Sequence, residues 1–279
     1  MASSERAQWA RLDIDGVALL ADLAAGVSLA RALRFEAPVR WFGAAAASNV
    51  PLVRGKFSGR VVAGAPCNCS VVTFTPHANG THTESAAHLT IEPLDAWRVI
   101  PQRLLPAVLV SVTPESAADS AESSEPVPRP TDRLITRAAL ERAWPQPPSP
   151  RLRARAAVLR TLPNAPDKYA SEAHGLPPFL SREAAAELVA RGITHLVLDV
   201  PSADRIEDGG ALTAHRIFFG LPPGARALAL VQRPEASITE LAYIDDALSD
   251  GWYLLTLQSP AIGGDAVPSR PLLYALRTA

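Results

Sequence analysis

His77-Ala-Asn-Gly-Thr-His82-Thr-Glu84-Ser-Ala-Ala-His88 holds three of the chain's six histidines and a carboxylate, separated by small residues. Neutral imidazole and carboxylate are the donors that suit zinc, manganese or iron. His82 and Glu84 are two positions apart, so on an extended backbone they leave from one face and can share an ion. His88 lies a further even number of positions along and stays on that face if the backbone remains extended. Gly80 allows a turn or a close backbone approach just before these residues. A catalytic metal centre keeps one coordination position open for water, so this stretch need supply only part of the ligand set. A lone histidine is usually a satisfied polar residue, but this density of donors points to a site.

Upstream, residues 60–75 are rich in β-branched side chains and read as strand material that Pro76 ends. Residues 13–33 are apolar with Gly16 and Gly26 as punctuation, which suggests a helix followed by a short strand. Downstream, residues 104–112 form a buried strand. Residues 113–130 are acidic and Ser/Pro-rich with little to bury, so they are expected to be a solvated loop. Thr136 can cap a helix over 137–144, and Ser181 a second over 182–191, with Gly192 at its left-handed C-terminal position. Further strands are expected over 156–162, 195–200, 252–258 and 272–276. Strands outnumber helices and the two alternate. This pattern predicts an α/β fold in one domain over residues 1–279, with a central mixed sheet or barrel flanked by helices.

The bulk numbers remove other function classes. The 279-residue chain is long enough for a sizeable core, and its formal charge of −1 offers no field for nucleic acid or an acidic membrane. Aromatics are few and do not interleave with a basic block. No stretch is apolar and long enough to span a bilayer, and the N-terminus lacks the apolar run of a signal peptide, so a cytoplasmic location is expected. Cys67 and Cys69 read as two small buried hydrophobes rather than a disulfide.

The histidine stretch resembles the cyclase family of metal-dependent hydrolases, which includes bacterial kynurenine formamidases and isatin hydrolases. The family signature is His-x-Gly-Thr-His-x-Asp-x-Pro-x-His. Gly80-Thr81-His82 and His88 align with it. Ala78 stands in the first His slot with His77 one residue earlier, Glu84 in the Asp slot and Ala86 in the Pro slot. The resemblance continues through Pro177-Pro-Phe-Leu-Ser181, Gly192-Ile-Thr-His-Leu-Val-Leu-Asp199-Val-Pro-Ser202-Ala-Asp204, His215, Ser237-Ile-Thr-Glu240-Leu and Asp265-Ala-Val-Pro-Ser-Arg-Pro.

The resemblance implies a swivelling β/β/α-like fold and a centre holding one or two divalent ions, Zn or Mn. Carried over residue by residue, the ligands are His77, His82, Glu84, His215 and Glu240, with His88 as general base and acid. It further implies hydrolysis of a carbon–nitrogen bond in an aryl formamide or cyclic amide, a small-molecule substrate and a homo-oligomer. His77 recovers the ligand facing only through a bulge near Asn79 and Gly80. His174 and His195 match no ligand position. The acidic residues Asp199, Asp204, Glu207 and Asp208 are read as a loop or as partners of the ligands. Trp41 and Phe42 either line a substrate pocket or pack as a core or interface pair. The alternatives are a non-catalytic metal- or ligand-binding protein of the same fold, prompted by the displaced first His, and a lactone hydrolase.

Overall fold

The computed structural model describes residues 7–36, 39–170 and 175–278. Eleven strands build one mixed sheet: β1 (Trp9–Ile14), β2 (Val17–Asp22), β3 (Val27–Ser28), β4 (His82–Glu84), β5 (Leu105–Val112), β6 (Ala156–Thr161), β7 (His195–Leu198), β8 (Ser237–Glu240), β9 (Gly251–Gln258), β10 (Ala266–Pro268) and β11 (Arg270–Thr278). Their order is β1-β2-β11-β9-β5-β6-β7-β8-β4-β10, with β3 also paired to β11. The four central strands β5 to β8 run parallel, and all the flanking pairings are antiparallel. The sheet is open. The class is the α/β mixed sheet expected, without closure into a barrel.

The parallel centre follows from composition. Strands covered on both faces need unbroken apolar runs, and β5 and β6 supply them. After the single turns α1 (Pro76–Asn79) and α2 (Ala96–Val99) come helices α3 (Arg137–Ala143), α4 (Arg182–Ala190) and α5 (Thr213–Phe219), under which Val108, Val110 and Val112 of β5 pack with Leu159 of β6. The alternate residues Leu105, Ala107 and Leu109 face a second core with Leu29, Ile244, Leu255 and Leu273. Both predicted caps are present: the hydroxyls of Thr136 and Ser181 accept from Ala139 N and Ala184 N. Gly192 is left-handed at φ 78°.

Four expectations change. Residues 13–22 are not helical; they belong to the antiparallel hairpin β1–β2, turned by Asp15 and Gly16, both at positive φ. An Asp-Gly pair in this conformation matches the right-handed twist of the flanking strands. Of residues 60–75 only Ser70–Thr73 is strand; Val61–Ala63 is a 3-10 turn, and Cys67 is exposed and Cys69 half-buried rather than in the core. The acidic segment 113–130 lies at the surface but is docked. Its Glu122 carboxylate accepts from Arg137 N, Ala138 N and Ser181 Oγ, so it serves the N-termini of two helices.

Candidate metal centre

The site forms where the parallel strands end. In the register of β4 against β8, His82 lies opposite Glu240, so the two side chains share a face with Glu84. Thr83 points to the other face, where it bonds Thr239 and Ser269. Past β7 the chain places Asp204 at the start of α5, and α5 lays His215 over the same face. His215 Nε2 lies 2.8 Å from Glu84 Oε1 and 3.4 Å from Glu240 Oε1, and His82 Nε2 lies 3.5 Å from Glu240 Oε2.

His77 arrives by a different route from the one expected. No bulge turns it inward, and Gly80 is extended (φ 170°, ψ −174°) rather than turning. A single helical turn, α1 (Pro76–Asn79), carries His77 round, with Pro76 at its first position. Buried Asn79 fixes that turn by accepting from Thr75 N and donating to the carbonyls of Val39 and Ala45. His77 Nδ1 then lies 3.3 Å from Glu84 Oε2. His88 also leaves the extended path, brought round by a 3-10 turn (Ala86–His88) that Ser85 caps. All six residues singled out from the sequence therefore meet.

Each imidazole is held from behind. His82 Nδ1 donates to the Gly80 carbonyl at 3.0 Å and His215 Nδ1 to Asp204 Oδ2 at 2.6 Å, so both present Nε2 inward. Asp265 joins His77 Nε2 (2.9 Å) and His88 Nδ1 (3.2 Å). Asp265 was not singled out from the sequence. It sits beyond the Gly263-Gly264 turn, and only the pairing of β10 with β4 brings it there. Of the acidic group, Asp204 supports His215, Asp199 pairs with Lys168, Asp208 receives the N–H groups of Gly210 and Leu212, and Glu207 pairs with Arg129.

Burial alone would hold Glu84 neutral, but His88 and His215 pull its carboxyl well below the ordinary range. Glu240 moves the same way: its burial and the repulsion of Glu84 are outweighed by the nearby His215 and His82 rings. Burial disfavours charge on His77, yet Asp265 and Glu84 push it up to about 10. His215, also buried, is lifted well above its ordinary value by Glu84, Asp204 and Glu240. Without a cation the cluster thus gathers protons to neutralise its carboxylates.

The donor set fits a cation. His82 Nε2, Glu84 Oε1 and His215 Nε2 are buried and make no hydrogen bond, although the last two are only 2.8 Å apart. Buried polar atoms without partners are rare. Two sets of donor atoms could hold ions: His77, Glu84 and His88, and His82, Glu84 and Glu240, each set within 4.8 Å and both including Glu84. All of these but His82 line a cavity of about 380 Å³, together with Phe42, Ser202, Arg205, Ile206 and Leu212. Phe42 is thus a cavity wall, whereas Trp41 is buried against Val39 and Leu241. His195 sits at the other end of its strand, bonded to Ser237. His174 lies outside the described residues.

Residues 24–205 match the Cyclase family. The chain belongs to that family. Its fold is similar to a predicted metal-dependent hydrolase from Bacillus stearothermophilus (16% identity, TM-score 0.55, 89% of this chain and 97% of that one). It is also similar to an isatin hydrolase bound to the product analogue thioisatinate (16%, 0.56, 91% and 93%). Isatin hydrolase A from Labrenzia aggregata is similar too (16%, 0.54, 91% and 96%). No curated protein matches. No helix among the described residues is long and apolar enough to cross a membrane.

Proposed function

We propose that this Cyclase-family protein is a metal-dependent hydrolase that cleaves a carbon–nitrogen bond of an amide, an aryl formamide or a cyclic amide. The observation that carries the reading is the convergence of three buried donor atoms that make no hydrogen bond, two of them on residues that line an open cavity. His77, His82, Glu84, His215 and Glu240 would hold one or two divalent ions, with Glu84 common to both donor sets. A divalent ion at this place supplies Lewis-acid polarisation of a carbonyl and lowers the pKa of water.

The protein's own groups do the rest. His88 lines the cavity with 27% of its side chain exposed and its Nδ1 held by Asp265. It is placed to take the proton of the attacking water and return it to the leaving nitrogen. Asp265 sets the orientation of that ring, and Phe42, Ile206 and Leu212 give an aryl body an apolar wall. The reading extends to a homo-oligomer, supported by the strand pair 48–51 and 70–73, where Val50, Val71 and Val72 are exposed. Light scattering tests that part.

The activity test uses protein loaded with Zn or Mn and compares formanilide, a cyclic amide and an aryl lactone. Turnover of an amide above the lactone supports the reading. Lactone turnover alone transfers it to carbon–oxygen bonds, and no turnover with metal bound favours a binding protein.

A further inference from the structure

Arg205 stands apart from the metal cluster but lines the same cavity, and it is the only Lys or Arg among the described residues that does. Only 8% of its side chain is exposed. Its Nε lies 3.3 Å from Asp132 Oδ2, and that carboxylate is itself buried and also accepts from Arg129 N. Asp132 thus holds the guanidinium in place from one side. Arg205 Nη2 is buried and makes no hydrogen bond. An unpaired guanidinium N–H out of reach of water is costly, so proteins rarely keep one without a use.

The rest of the wall says what would use it. The imidazoles and carboxylates of the metal cluster form one part of the cavity. Phe42, Ile206 and Leu212 offer apolar surface. Glu84, Glu240 and Asp208 also line it, so an anionic group has Arg205 as its one permanently cationic partner. The planar fork of an arginine matches a carboxylate by charge and by paired N–H directions.

We propose that Arg205 is a specificity-determining residue that selects substrates bearing a carboxylate on the aryl body, away from the bond that is cleaved. This rests on the hydrolase reading of the site, but Arg205 and its carboxylate ligand can be examined without turnover. Three full-length, metal-loaded proteins suffice: wild type, Arg205→Lys, which keeps the charge and loses the fork, and Arg205→Met with Asp132→Asn, which avoids a stranded carboxylate. Thermal melts establish that each is folded.

Steady-state kinetics are measured on formanilide and its ortho-carboxylated analogue, and calorimetry measures binding of benzoate and benzamide. The wild type should prefer the carboxylated anilide, mostly through KM. Both variants should lower that preference about tenfold to a hundredfold, as expected for a charge-assisted hydrogen bond. Benzoate should weaken by a similar factor while benzamide changes little. Equal losses on both anilides, or benzoate binding that is indifferent to Arg205, would overturn the assignment. If neither anilide is turned over, the hydrolase reading is what fails, and the benzoate series alone decides the role of Arg205.

Discussion

His215 and Asp204 are joined at 2.6 Å through Nδ1 and Oδ2, and the same carboxylate accepts the backbone N–H groups of Ala214 (2.7 Å) and His215 (3.1 Å). One buried acid therefore starts helix α5 and sets the imidazole tautomer that leaves Nε2 facing Glu84. Partners of this kind orient a ligand and raise its basicity.

Asp204→Asn removes the charge while leaving an oxygen that can still accept from the helix. Metal affinity is expected to fall about 10–100-fold, the usual effect of losing such a partner. Competition against a chelator of known affinity measures it. An unchanged affinity would mean that His215 does not ligate through Nε2.

His88 separates proton transfer from metal binding. His88→Asn should keep near-normal metal content while amide turnover drops about 10²–10⁴-fold, the span typical of general acid–base groups. The pH–rate profile should lose one limb. Loss of metal from the variant would instead make His88 a ligand alongside His77 and Glu84, a set whose donor atoms lie close enough for that.

Metal loading should release protons. Without an ion, His77 is pushed up to about 10 and His215 is raised, so both are imidazolium at neutral pH. Only the neutral ring can ligate. Affinity should therefore rise with pH. Calorimetric titrations in two buffers of different ionisation heat should report net proton release near pH 7. Uptake, or no proton change, would contradict the assignment of these rings as ligands.

His195 gives a pH effect at the end of the sheet away from the site. Burial, reinforced by Arg103 and Arg233, lowers it to about 4. The folded protein keeps it neutral, while the unfolded chain protonates it below about 6.5. Its contribution to stability is therefore present above pH 6.5 and is lost as pH falls toward 4, at about 1.4 kcal/mol for each pH unit. His195→Asn, which can preserve the bond to Ser237, should flatten the acid limb of the urea-unfolding midpoint relative to wild type. Parallel limbs would show that His195 is not held neutral.

The parts of this molecule legible in sequence are those with a local cause. Strands β5, β6, β7 and β9 announced themselves as apolar runs, and α3 and α4 by their Thr136 and Ser181 caps. The donors His82 and Glu84 were legible because a period of two is a property of any strand. What stayed hidden was set by longer-range structure. His77 needs the helical turn of α1, which Asn79 ties to carbonyls more than thirty residues away. Asp265 meets His77 across 188 residues, through strand pairing that no local pattern encodes. The β1–β2 hairpin was hidden for a simpler reason: its Asp15-Gly16 turn signal was present but outweighed by an apolar reading of the whole segment. His215 and Glu240 came from family likeness, since neither has a neighbouring donor in sequence.

Metal analysis of wild type and Glu84→Gln decides whether this cluster exists to hold a divalent ion. Both are purified without added metal and then titrated with Zn and Mn. Glu84 belongs to both candidate donor sets and is fully buried among three imidazoles, so it has no equal as a single point of failure. At least one tightly held ion per wild-type chain is expected, with loss of that binding in a folded Glu84→Gln protein. A wild-type protein that retains no ion and binds none on titration would contradict that expectation.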